Sequence, residues 1–165
     1  VLGVHDYQAF YDLRLKALEL SPHSFGNHID TWSSASREQV IALLEDSESV
    51  SKGFILGAFE DKALVGMLGL KGEIKQNIAH KATLWGFFVE PKCRRRGSGT
   101  ALIRSAILQA ARLEGIHHVR LIVTTVDEAA MKLFQVHGFN QYGLEPSGIR
   151  FEDTFFDQSF MMKIL

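Results

Sequence analysis

The sequence predicts a mixed α/β fold, with one sheet carrying helices on both faces. Three observations lead there. Segments of helical apolar spacing alternate along the chain with short β-branched and aromatic runs. Two early strand-like runs are separated only by Asp61-Lys62, which marks an antiparallel hairpin. Later, a strand–helix–strand passage through Gly97–Glu114 suits a parallel crossover.

Each element follows from its residues. Phe10, Leu13, Leu15, Ala17 and Leu18 form the apolar face of a first helix, which breaks near Ser21-Pro22. A second helix is predicted over Ser36–Asp46, with Ser36 as N-cap, Gln39 three residues on, and Val40, Ile41, Leu43 and Leu44 as its apolar face. The polar stretch His23–Ser34 between them reads as a loop or short turn. Strands follow at Gly53–Glu60, Ala63–Lys71 and Lys81–Glu90, the last stopped by Pro91. Gly97–Glu114 is a long helix with Ala101, Leu102, Ala106 and Ile107 on one side and Gly115 as its C′ stop. A strand at His117–Thr125, a helix at Asp127–His137 ended by Gly138, and strands at Phe139–Gly143 and Phe155–Ile164 complete the order. No repeat, low-complexity tract or linker divides the 165 residues, so one domain over 1–165 is expected.

Composition excludes several classes of function. The net charge is −1, so no overall field draws the chain to nucleic acid or to a membrane. Apolar runs such as Phe54–Phe59 and Leu64–Leu70 are too short to span a bilayer, and no signal-peptide pattern is visible. The single cysteine, Cys93, forbids an internal disulfide and fits a reducing cytoplasm. His117-His118 and the His23/His28 pair lack regular ligand spacing, so no metal is expected.

Chemistry concentrates at one junction, Phe87-Phe88-Val89-Glu90-Pro91-Lys92-Cys93-Arg94-Arg95-Arg96-Gly97-Ser98-Gly99-Thr100. A strand ends, a basic glycine-containing turn follows, and a helix begins. The first helical turn leaves N–H groups unpartnered at the positive end of the macrodipole, which makes an anion site. Gly97 and Gly99 let a phosphate approach the backbone. Arg94, Arg95 and Arg96 add charge, and Ser98 and Thr100 add hydroxyl donors. A diphosphate fits. A P-loop would need Lys-Ser/Thr after the last glycine, where Thr100-Ala101 stands; a dinucleotide fingerprint would need Gly or Ala at Leu102. Beside the arginines, Cys93 is expected to have a lowered pKa, without a nucleophilic role.

Arg94-x-x-Gly97-x-Gly99, following a strand and Pro91, resembles the Gln/Arg-x-x-Gly-x-Gly/Ala motif of the GNAT superfamily of N-acetyltransferases. Asp127-Glu128-Ala129-Ala130-Met131-Lys132-Leu133-Phe134, followed by Gly138-Phe139, is similar to that family's second signature, Asn-x-x-Ala-x-x-Leu-Tyr then Gly-Phe. Element order agrees over nearly the whole chain. The resemblance implies a mostly antiparallel mixed sheet of about six or seven strands flanked by about four helices, with central strands splayed at the acyl-CoA site. It implies acetyl-CoA as co-substrate and an amine acceptor attacking directly in a ternary complex. The diphosphate would sit on the amides from Arg94 to Thr100. Phe87, Phe88 and Val89 would offer main-chain groups to the pantetheine arm, with the amide of Phe88 or Val89 as oxyanion donor. Asp127 and Phe134 would border the arm.

Two positions depart from the pattern. Phe134 stands where the family has a tyrosine, the candidate acid for the departing thiolate; Tyr142, a water, or no acid at all would take its place. Asp127 stands for asparagine and accepts but cannot donate when ionised, or serves only as an N-cap. For the general base, Glu73, His80 and Glu90 are near enough in sequence to consider. A weakly equipped site leans towards a low-pKa amine, since an α-amine titrates at about 7.7–8.0 against about 10.4 for lysine. Glu145 and Asp157 contact the amine or are turn residues. The acceptor side is expected at Pro22–Ser36 and Glu145–Asp157, with His23–Asp30 as a lip. A homodimer is one option, because dimers are common in the family. The alternative is a non-catalytic acyl-CoA sensor on the same fold, and a basic-loop nucleic-acid binder is a third reading.

Overall fold

The computed structural model describes residues 1–26, 28–49 and 53–165; Asn27, inside the expected lip, lies outside them. Helices α1 (Tyr7–Leu20), α2 (Ile29–Ser33) and α3 (Arg37–Ser49) precede strands β1 (Gly53–Glu60), β2 (Ala63–Gly72) and β3 (Lys81–Val89). Then come α4 (Ser98–Ala110), β4 (His118–Thr124), α5 (Glu128–Val136), β5 (Asn140–Phe151) and β6 (Thr154–Ile164). The six strands form one sheet in the order β1-β2-β3-β4-β6-β5. Only β3 and β4 are parallel, joined through α4 as the crossover pattern predicts.

Both faces are covered, as expected. On one, Phe10 and Leu18 of α1, Trp32 of α2 and Val40 and Leu44 of α3 pack on Ile55, Met67 and Phe88. On the other, Ile103 and Ala106 of α4 and Phe134 of α5 pack on Leu56, Leu68, Leu84 and Leu121. Along β1 the alternation is direct: Phe54 and Leu56 face the α4 layer, and Ile55 faces the α1 layer.

The local signals hold where the chemistry is local. Asp61 and Lys62 take φ of 47° and 70°, the left-handed pair a two-residue hairpin needs. The Ser36 amide bonds Gln39 Oε1 at 2.8 Å, and the Gln39 amide bonds Ser36 Oγ at 3.3 Å, a reciprocal capping box. Gly138, at φ 86°, ends α5: its amide reaches the Gln135 carbonyl at 2.9 Å and the Phe139 amide reaches the Phe134 carbonyl at 3.1 Å.

Three boundaries differ from the expectation. The stretch read as loop or turn, His23–Ser34, contains α2, held by the burial of Trp32 and the bond from its indole Nε1 to the Tyr11 carbonyl at 3.1 Å. Helix α4 stops at Ala110, and Gly115, at φ 76°, sits in the following turn instead of capping the helix. Strand β5 runs on to Phe151 through Pro146 and Gly148, because a register shift between Glu145 and Ile149 absorbs them. Ser147 takes φ 55° there, and its amide bonds Asp157 Oδ1 at 2.8 Å.

One irregularity positions the site. Met67 pairs with Phe88, but Gly69 pairs with Trp85, so β3 carries an extra residue. The bulge centres on Gly86, at φ 67°. It inverts the alternation: Ala82 and Leu84 face the α4 layer before it, and Val89 does so after it. Trp85 lies across Gly69, where an added Cβ would come within 2.1 Å of the indole. Gly69→Ala is therefore expected to displace Trp85 and to destabilise the fold by about 1–3 kcal/mol. Denaturant unfolding followed by tryptophan fluorescence checks both effects.

Candidate active site

The β3–β4 ladder is short. Lys81, Ala82 and Thr83 pair with His118, Val119 and Arg120, and there the pairing stops, although β3 continues to Val89 and β4 to Thr124. Two local facts force the strands apart. The Gly86 bulge bends β3. Meanwhile β4 is paired along its other edge with β6 from His118 to Thr124, so it cannot follow. The fork encloses a cavity of about 70 Å³ between Leu84, Gly86 and Phe87 on one side and Leu121 and Val123 on the other. Towards α1 it adjoins a cleft of about 600 Å³, and the two share Ser24, Phe25, Leu84, Trp85, Gly86 and Ile122. That volume suits a small ligand.

At the far end of β3 the basic loop leads into α4. A single 3-10 turn, Pro91–Cys93, is closed by the Cys93 amide on the Glu90 carbonyl at 2.8 Å. Arg95 (φ 62°) and Gly97 (φ 94°) then turn the chain into the helix. The Ala101 amide makes the first helical bond, to the Gly97 carbonyl at 2.9 Å. The amides of Ser98, Gly99 and Thr100 are left without helical partners at the positive end of the dipole.

The two glycines have different reasons to be there. A Cβ at Gly97 would meet nothing within 4 Å, so its role is the left-handed turn and open access. A Cβ at Gly99 would lie 3.2 Å from Leu133 and 3.3 Å from Phe87, so this glycine seats α4 against α5 and β3. The three arginines also divide. Arg94 Nε donates to the Val89 carbonyl at 2.9 Å, with the guanidinium 5.8 Å from the Phe88 ring, and so braces the loop. Arg96 pairs with Glu60 at 3.2 Å, and the Ser98 hydroxyl is 3.4 Å from the same carboxylate. Arg95 is exposed and has no ion pair among the described residues. The expected lowering of the Cys93 pKa is reversed: desolvation and Glu60 push the thiol up, outweighing Arg96.

Phe134 is buried against Phe87 (ring centroids 5.3 Å apart) and Phe139 (5.6 Å), and lines the fork. Asp127 also lines it and occupies the N-cap position of α5, yet its carboxylate makes no capping bond. It accepts the Ser24 hydroxyl instead, with His23 Nε2 at 3.7 Å from its other oxygen. Thr124 Oγ1 donates to the His23 carbonyl at 2.7 Å. Together these bonds fasten the Pro22–Ser24 turn over the mouth of the fork.

Glu73, His80 and Tyr142 are not brought together. The Glu73 carboxylate is paired with Arg120, whose Nε also donates to Thr83 Oγ1 at 3.0 Å, on the last rung of the ladder before the fork. His80 lies at the opposite, closed end, edge-on to His118 with centroids 5.3 Å apart; desolvation and neighbouring Lys81 lower its pKa. Tyr142 is 55% exposed on the edge strand β5, against Phe160, and lines neither cavity. Glu90 is paired with Lys16. Glu145 is exposed opposite Gln158, and Asp157 holds the β5 bulge. His28 accepts from the Asp30 amide at 3.3 Å, ahead of α2. No group of three or more His, Cys, Asp or Glu gathers as a metal site among the described residues.

Sequence reasoning missed Ser24, Thr124 and Arg14. The first two carry no local signal, since their partners lie about 100 residues away. Arg14 did carry one: it stands in the i, i+4 register of Phe10 and Leu18, inside the apolar stripe of α1. Asp127→Ala is expected to lower stability by about 1 kcal/mol by freeing the Ser24 turn, whereas Asp127→Asn keeps an acceptor and stays within about 0.5 kcal/mol of wild type. Thermal or denaturant melting of the two variants checks this.

Similarity to known proteins agrees with this geometry. The profile of the acetyltransferase (GNAT) family matches residues 8–139. Human N-acetyltransferase 8 is 34% identical over 87 residues, a match covering 52% of this chain and 38% of that protein. The chain thus spans well under half the length of this relative. Among solved structures, a GNAT-family acetyltransferase from Streptococcus pneumoniae superposes with a TM-score of 0.90 at 22% identity, covering 99% of this chain and 96% of that one. The yncA protein of Salmonella typhimurium, solved with its cofactor acetyl-CoA, superposes with a TM-score of 0.86 at 17% identity, covering 99% and 90%. Two sequence motifs, a forked mixed sheet and a family profile spanning most of the chain converge, and the protein belongs to the GNAT family of acetyltransferases.

Proposed function

We propose that the chain transfers an acetyl group from acetyl-CoA to a primary amine, by direct attack with both substrates bound. The observation that carries this reading is the early end of the β3–β4 ladder at Thr83 and Arg120. Beyond it, β3 turns a strand edge without a β4 partner towards the fork, and that edge runs to the free amides of α4. A pantetheine arm can add to the edge as a strand does, while the diphosphate takes the amides of Ser98, Gly99 and Thr100. Arg95, exposed and without an ion pair among the described residues, can meet it. The thioester then lies at the Gly86 bulge, and the amide of Phe88 or Val89 polarises its carbonyl.

In the reaction the amine nitrogen bonds the acetyl carbon, the carbon–sulfur bond breaks, and the proton shed by the amine balances the thiolate. We route no proton through Glu73, His80 or Tyr142: the Glu73 carboxylate is held by Arg120, His80 stands at the closed end of the ladder beside Lys81 and His118, and Tyr142 lines neither cavity. Phe134 has no proton to give. Proton transfer therefore passes through water in the 600 Å³ cleft, and the amine must arrive neutral. This favours an amine of low pKa. The apolar walls Phe87, Leu121 and Phe134 hold bulk water off the thioester.

Gly97→Glu tests the coenzyme site, because it sets bulk and negative charge beside the unpartnered amides. CoA affinity measured by calorimetry is expected to fall at least about 100-fold, a loss of about 2.7 kcal/mol, with acetyl-CoA turnover lost alongside. Unchanged affinity in a folded variant overturns the assignment.

A further inference from the structure

Arg14 projects from α1 with only 6% of its surface exposed, and its Nη1 has no hydrogen-bond partner among the described residues. Three aromatic rings surround the guanidinium: Phe25 at 4.7 Å, Trp32 at 6.0 Å and Trp85 at 5.9 Å. Such a cage favours a cation but supplies no lone pairs. Burial lowers the pKa of the group to about 10, so it remains charged at neutral pH. A buried charge without a hydrogen-bonded counter-ion is costly, and proteins ordinarily pair it. Here no carboxylate of the described residues does so. Asp46 and Lys71 also line the 600 Å³ cleft that Arg14 borders, and neither bonds it.

The position is as telling as the missing partner. A Cβ placed on Gly86 would lie 3.3 Å from Arg14 Nη1. Gly86 is the bulge at which the fork opens, and it lines both cavities. The unsatisfied cation therefore sits within one ligand-length of the place where an amine would meet a thioester.

We infer that Arg14 anchors the carboxylate of the acceptor, so that the substrate is a short amino carboxylate of the α-amino acid type. This rests on the acetyl-transfer reading above and deepens it. A planar guanidinium matches a planar carboxylate and fixes its orientation. Closeness to Gly86 limits the acceptor to a few bonds between carboxylate and amine. Pairing with Arg14 also removes the anionic charge that helps hold a proton on the neighbouring ammonium, which suits a site without a placed base.

The test uses matched pairs of free amino acids and their primary amides, with CoA release followed at a pH above both amine pKa values. Each acid is expected to exceed its amide in kcat/KM by at least about tenfold, mainly through KM. Arg14→Gln should lower kcat/KM for the acids at least about tenfold more than for the amides, bringing the acid-to-amide ratio close to one, and Arg14→Lys should restore part of the preference. Melting temperature and CoA affinity report whether the variants are folded; if neither folds, the wild-type comparison decides alone. Equal rates for acids and amides, or a preference that survives in folded Arg14→Gln, overturn the anchor but leave acetyl transfer intact. Acetylation of no amine in either series, with CoA bound, overturns the amino carboxylate as acceptor, and failure with other primary amines as well removes the transfer reading.

Discussion

The site depends on a conflict between two neighbouring strands. Parallel pairing would carry β3 and β4 together along their full length, and their residues are good strand formers. The Gly86 bulge bends β3, while the β6 ladder holds β4. The ladder therefore ends after Thr83 and Arg120. What would be an ordinary central pair becomes a fork with unpaired main chain on one arm. The packing around it keeps the fork open: Phe134 is fixed by the Gly138 turn and by Phe87 and Phe139, and Asp127 ties α5 to the Pro22–Ser24 turn.

Electrostatics at the loop are subtler than three consecutive arginines suggest. One arginine braces the Val89 carbonyl, one is neutralised by Glu60, and one remains. The attraction for an anion thus comes chiefly from oriented amides, which need no side chain. The acceptor side reverses this balance. There a buried guanidinium ringed by Phe25, Trp32 and Trp85 carries the charge. The two substrates would meet at Gly86, which lies on the coenzyme edge, lines the larger cleft and adjoins Arg14.

What could be read from the sequence was what local chemistry writes. The hairpin at Asp61-Lys62, the Ser36 capping box, the Gly138 stop and the strand–loop–helix junction all depend on residues within a few positions of each other. Helix α2 escaped because one helical turn has too little periodicity to register, and Trp32 stabilises it from across the fold. The continuation of β5 escaped because Pro146, Ser147 and Gly148 are turn formers, and only Asp157 on the facing strand makes their bulge intelligible. Cys93 departs from the expectation because desolvation, together with Glu60, distant in sequence, outweighs Arg96. Gly86 and Arg14 were both visible in principle, as a glycine inside a strand and a charge inside an apolar stripe.

The central claim is that the unpaired edge of β3 and the first turn of α4 form one continuous surface for acetyl-CoA. Amide hydrogen exchange with and without CoA addresses it directly. Slowed exchange in both Leu84–Val89 and Arg95–Thr100, with β1 and β5 unchanged, is the predicted result. Protection that spares either segment at saturating CoA would contradict the account.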